Sequence, residues 1–203
     1  MNFNEGSKGN FEKSEVGAFA GRLFRLIDLG TQTSNFNGDV KEARKVQFIF
    51  EMPDNVMKGE FKPELAGKPF CAQQIFTQSL HEKASLRKFL VSWRGKDFSD
   101  EERMNFDPKK LLGKTALLNL VQSKDGAFIN IGSISPLPKG MECKPPVNPV
   151  IYFSLNEFSR ETFEKLSDKT KDKIKSSPEW TKYGLDTVSA DPVDHSTGEE
   201  IPF

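Results

Sequence analysis

A chain of 203 residues, 36% hydrophobic and 29% charged, has the make-up of a soluble globular body: one medium domain with extensions, or two small ones. No run of ~18 apolar residues is present, which excludes a membrane-spanning helix, and Met1-Asn2-Phe3-Asn4-Glu5-Gly6 lacks the basic-then-apolar order of a signal peptide. The net charge of zero conceals a split: residues 184–203 carry Asp186, Asp191, Asp194, Glu199 and Glu200 against no lysine or arginine, while the other 183 residues hold 29 basic and 24 acidic side chains, a surplus of +5 that suits a polyanionic partner.

In chain order, residues 1–16 are polar, with isolated Phe3 and Phe11, and are expected to form a flexible arm. Ala18 to Leu29 alternates as a strand; Gly30 to Asp39 is expected to be a polar loop with Asn37-Gly38-Asp39 as its turn. Arg44 to Glu51 is a second strand, with Val46, Phe48 and Phe50 on one face and Pro53 ending it. A long loop over 52–69 leads to a third strand, Phe70 to Thr77. The period then changes. Ser79-Leu80-His81-Glu82 has the spacing of a capping box, and Leu86, Phe89, Leu90 and Trp93 share one helical face before Gly95. Ser99 and Asp107-Pro108 open two short turns, the second stopping at Gly113. Thr115 to Val121 and Phe128 to Ile134 are the fourth and fifth strands, joined at Asp125-Gly126.

These elements make residues 17–140 one mostly β body, ordered strand, strand, strand, helix, strand, strand. That order matches a five-stranded barrel of the oligonucleotide/oligosaccharide-binding (OB) type, with its helix between strands three and four. Residues 141–183 are expected to be a linker followed by a C-terminal helical extension broken near Ser167 and ended by Pro178. The sparse, acidic residues 184–203 are expected to be a disordered tail.

Catalytic chemistry finds little support. Gly113-Lys114-Thr115 resembles the end of a phosphate-binding loop, but Pro108 stands where its first glycine is needed and a strand follows instead of a helix. His81-Glu82 lacks the second histidine of a zinc protease, since position 85 is Ser85. Cys71 and Cys143 cannot build a disulfide framework, and with His81 and His195 they are too scattered for a zinc site. No acidic cluster demands a metal, no cofactor is implied, and a reducing cytoplasm is expected.

What remains is aromatic and basic. The chain holds 18 phenylalanines against two tyrosines and two tryptophans. Most are expected in the core. Phe24, with Arg22 on its face and Arg25 beside it, and Phe76, between Gln74 and Gln78, have neighbours that suit a wetted sheet surface. A planar ring there can stack a base for ~1–3 kcal/mol whatever the base, while cations track the phosphates. The candidate DNA-binding set is therefore Arg22, Phe24, Arg25, Arg44, Lys45, Phe76, Lys83, Arg87, Trp93, Arg94 and Lys139. At the terminus, Glu199-Glu200-Ile201-Pro202-Phe203 places two carboxylates before a phenyl ring, a tip that a pocket with a basic rim can capture.

This tip resembles that of bacterial single-stranded DNA-binding proteins, which ends in acidic residues followed by Ile-Pro-Phe. In the body, Arg25-Leu26-Ile27-Asp28-Leu29-Gly30, Ser79-Leu80-His81-Glu82-Lys83-Ala84, Ser92-Trp93-Arg94-Gly95, Leu111-Leu112-Gly113-Lys114 and Ile134-Ser135-Pro136-Leu137-Pro138-Lys139-Gly140 resemble segments of a family of phage single-stranded DNA-binding proteins. The resemblance implies an OB fold, sequence-independent coating of single strands, and recruitment of replication and recombination proteins through the tip. It carries no individual DNA contact over, and the acidic stretch before the tip is thinner than the family's run of aspartates. A strand-annealing or mediator protein, and a replication-associated nuclease, are the alternatives.

Overall fold

The computed structural model describes residues 11–183 apart from Asn37. Its frame is a sheet of six strands: β1 (Gly17–Phe36), β2 (Asp39–Val56), β3 (Pro69–Thr77), β4 (Thr115–Gln122), β5 (Ile129–Ser135) and β6 (Ile151–Phe153). The order is β3-β2-β1-β4-β5, all antiparallel, while the short β6 pairs in parallel with β1 at Arg25 to Ile27. The sheet curls until Cα atoms of its edge strands, β3 and β5, come within 8 Å of one another. No hydrogen-bonded ladder joins them among the described residues, so the sheet is not closed.

β1 and β2 run further than expected. Residues 30–36 are not a loop but continue β1, paired through Asn35 with Val40. Gly30 is read from sequence as a breaker, yet it sits at a register shift with φ +69, the glycine of a bulge inside a strand. Pro53 does not end β2, which continues to Val56 after a break in its pairing with β3.

Helix α1 (Ser85–Arg94) lies between β3 and β4, and Gly95 stops it at φ 72. The expected capping box at Ser79 does not form: the helix starts six residues later, at a cap with no side-chain hydrogen bond, and Ser79 Oγ instead accepts from His81 N–H. The capping box belongs to α2 (Asp100–Met104), where Ser99 and Glu102 satisfy each other's backbone donors. Leu86, Leu90 and Trp93 of α1 enter a core lined by Leu23, Leu26, Phe48, Phe50, Phe70 and Leu118.

A second core forms on the opposite side of the β1–β2 ribbon. Ile27 and Leu29 of β1 meet Ile151, Phe153, Phe163, Ile174 and Trp180 from the C-terminal extension. That extension contains α3 (Arg160–Glu164), α4 (Asp168–Lys175) and α5 (Pro178–Lys182). Pro178 opens α5 rather than ending a helix, as suits a residue with no N–H to leave unpaired in the first turn. Nor do residues 141–149 behave as a free linker. Glu51, fully buried, accepts from Val147 N–H, Asn148 N–H and Asn148 Nδ2 at 3.1, 3.0 and 2.8 Å. Lys144 pairs with Asp54 beside it.

A candidate nucleic-acid interface

Most of the expected DNA-binding residues are engaged in holding the fold. Phe76 is only 5% exposed: it shares the inward face of β3 with Phe70 and Ala72, and Phe89 of α1 covers it at 4.7 Å between ring centroids. Phe24, 3% exposed, is the extra residue of a bulge between Leu23 and Arg25, and the Arg25 guanidinium lies 5.0 Å from its ring centre. Neither ring offers an open face to a base, which corrects the expectation of a wetted sheet surface. Trp93 is likewise buried, its indole N–H donated to Thr115 O at 2.8 Å.

The arginines are similarly occupied. Arg22 donates from Nη1 to Gly113 O at 2.8 Å and from Nη2 to the carbonyls of Cys143 and Lys144, tying β1 to two distant loops. Arg44 forks onto Asp28 and also reaches Asn156, so it joins β2 to the C-terminal extension; the Asp28 carboxylate holds its guanidinium pKa above the ordinary value. Arg87 pairs with Asp97, and Arg94 with Glu102. Lys45 donates to Thr77 Oγ1. Lys83 and Lys139 are exposed, on separate loops. The tip residues Glu199, Glu200, Ile201, Pro202 and Phe203 lie outside the described residues.

The open aromatic surface is elsewhere. α1 covers the far ends of β3 and β5, where Phe89 meets Phe76 and Gly95 meets Pro136. Among the described residues no helix covers the near ends of the same strands, and a groove of about 1160 Å³ opens there. Its floor includes Phe70, Ala72, Leu120 and Ile129. Around it stand Phe11, Phe61 and Phe128, which are 69%, 49% and 66% exposed. Large apolar rings left this open around one concavity are a feature that folding alone does not account for.

Each ring is presented by local chain chemistry. Phe61 sits in the β2–β3 loop between Lys58-Gly59 and a 3₁₀ turn at Pro63–Leu65. Phe128 leaves the β4–β5 turn, where Asp125 accepts from Ser123 Oγ and Ala127 N–H, and Gly126 takes φ 68. Phe11 is carried by a segment tied at both sides of the groove: Glu12 to the β2–β3 loop, Lys13 Nζ to Gly126 O at 2.8 Å. Residues 11–14 therefore do not form a loose arm. Lys13, Lys58, Lys62 and Lys124 supply exposed cations on the same two loops and the segment between them.

None of these three rings stood out by sequence periodicity. The signal that finds them is a lone phenylalanine in a stretch rich in lysine, glycine and acidic residues: Lys58-Gly59-Glu60-Phe61-Lys62 and Lys124-Asp125-Gly126-Ala127-Phe128. Such a ring has no apolar partners at strand or helix spacing.

A second concavity, of about 620 Å³, lies between α1, α2 and the loop before β4, with Phe98, Phe106 and Leu111 inside and Lys110 and Lys114 among its lining residues. Among the described residues, no group of three or more histidine, cysteine, aspartate or glutamate side chains is placed to hold a metal ion. No helix among them is long and apolar enough to cross a membrane. Compared with known proteins, the chain matches no family model, no curated protein and no solved structure.

Proposed function

We propose that this protein binds single-stranded DNA without sequence preference, along the groove ringed by Phe11, Phe61 and Phe128. One observation carries the reading: three exposed aromatic rings surround one open groove, with lysines on the loops that bear them. Stacking on such rings tolerates any base, and the cations take the phosphates. We read the curled sheet as an open OB barrel. Its strand order, and a helix between β3 and β4 packed at one end of the seam, support that reading. The body segments and the Glu199–Phe203 tip that resemble phage and bacterial single-stranded DNA-binding proteins favour a coating role in phage replication, recombination and repair, with partner proteins captured by the tip. No catalytic role is proposed.

The test is binding of fluorescent oligo-dT against duplex over a salt series. Single strands bind well above duplex, and each contacted phosphate adds about −0.7 to the log–log salt slope. Equal affinity for duplex, or a flat slope, overturns the proposal. Accelerated pairing of complementary strands in the same samples would make the protein an annealing factor, and Mg²⁺-dependent loss of the labelled strand would make it a nuclease.

A further inference from the structure

We propose that the backbone N–H groups of Lys58, Gly59 and Glu60 form an oxyanion-binding nest that receives a phosphate of the bound strand, and that Glu12 occupies this nest when no strand is present. The inference rests on the single-strand reading for the identity of its ligand, but the nest itself stands on separate observations.

The three consecutive N–H groups point at one carboxylate: Lys58 donates to Glu12 Oε1 at 2.5 Å, Gly59 and Glu60 to Oε2 at 2.9 and 3.2 Å. Successive donors converge in this way when one residue takes a left-handed conformation, and Gly59 has φ +80. A side chain at that position would also meet Ala66 Cβ at 2.9 Å, so the nest needs its glycine twice over. The N–H donors, led by that of Lys58, together with the Lys58 ammonium hold the Glu12 carboxyl below its ordinary pKa. The loop is thus seen binding an oxyanion, one supplied by the chain itself.

The surroundings explain why a carboxylate stands there. Glu12 is flanked by Phe11, which lines the groove, and by Lys13, which is fastened to Gly126 on the other side. Asn55 Nδ2 donates to Ser14 Oγ at 2.7 Å and completes the attachment. Residues 11–14 therefore lie across the groove as a strap that carries one ring, one carboxylate and one ammonium. A strand entering the groove brings a ring and an anion of its own. Its phosphate competes for the donors that Glu12 uses, and the strap yields or shifts. Apparent affinity is lowered by the fraction of molecules in which the strap is closed.

The experiment uses the full chain and the variants Glu12→Gln and Glu12→Ala, with inorganic phosphate as the first probe. In Glu12→Ala, phosphate shifts the backbone amide resonances of Lys58, Gly59 and Glu60 at low-millimolar concentration; the native chain needs on the order of tenfold more, and Glu12→Gln falls between. With oligo-dT at low salt, Glu12→Ala binds on the order of 5- to 10-fold more tightly than the native chain, while the melting temperature falls by only about 2–4 °C as the three contacts of the closed strap are lost. If phosphate leaves those amides unmoved in Glu12→Ala, the nest is not an anion site and the proposal fails, whatever oligo-dT does. If phosphate moves them but no form binds oligo-dT, the single-strand reading fails and the site is one for a free oxyanion.

Discussion

Replacing Phe128 by alanine separates binding from folding. The ring is 66% exposed, so about a third of it is covered by protein. A fully buried phenylalanine covers roughly 150–250 Å², so the loss here is roughly 50–80 Å², worth about 1–2 kcal/mol of stability. A base stacked on the open face is worth ~1–3 kcal/mol, which is about 5- to 150-fold in Kd. The substitution removes no charge, so the log–log salt slope stays where it was while the whole line drops. The assay is anisotropy of labelled oligo-dT at several salt concentrations, beside thermal melting followed by circular dichroism. A native Kd with a lowered melting temperature would refute the assignment of Phe128 as a stacking platform. A changed slope would show that the ring positions a cation instead.

Three further outcomes are expected. Phe76→Ala, at a site 5% exposed and packed on Phe48 and Phe89, destabilises the fold by about 3–5 kcal/mol in denaturant titration, while the fraction still folded binds oligo-dT with native affinity. Glu51→Ala strands three N–H donors of Val147 and Asn148, so stability falls by about 1–3 kcal/mol for each donor that water cannot reach, and hydrogen exchange at 147 and 148 accelerates. Cys71 lines the groove opposite Glu51 on β2 and is exposed to solvent, yet desolvation by the surrounding chain first, and the Glu51 carboxylate second, push its thiol up to about 11, so alkylation at pH 8 is slowed by scarcity of thiolate and not by access, and rises about tenfold per pH unit toward that value. Rapid alkylation at pH 7 would show a different environment.

What could be read from sequence was whatever depends on local period. The alternation of Val46, Phe48 and Phe50 and the helical spacing of Leu86, Leu90 and Trp93 each reflect one element facing one core, and both appear in the fold. Signals that depend on distant partners misled. Arg22 beside Phe24 looks like a wetted face, but its guanidinium is taken by carbonyls at positions 113, 143 and 144, which no local pattern reveals. Gln74 and Gln78 made Phe76 look exposed; α1, packed over that end of β3, reverses the reading. Gly30 breaks no strand because a bulge accepts its φ and Ser177 needs the space: an added Cβ would meet it at 2.5 Å. The groove was illegible for the converse reason. Phe11, Phe61 and Phe128 come from three segments without regular period, brought together only when β3 and β5 curl toward each other.

The β1–β2 ribbon is a wall shared by two rooms. One side lines the core beneath α1; Ile27 and Leu29, on the other side, are covered by residues from 151 onward, with Ile49 of β2 packed against the same cluster. The chain must therefore be almost complete to residue 180 before its first long strand is dry on both sides. Until then the ribbon carries an apolar strip with no cover, and β1 lacks its parallel neighbour β6. Asp28, Gly30 and Glu51 are the places where the late segment is recognised, through hydrogen bonds to residues 147–155 and a close fit against Ser177. Residues 17–140, which look from sequence like a self-sufficient barrel, are on this account one part of a cooperative unit that residues 151–180 complete.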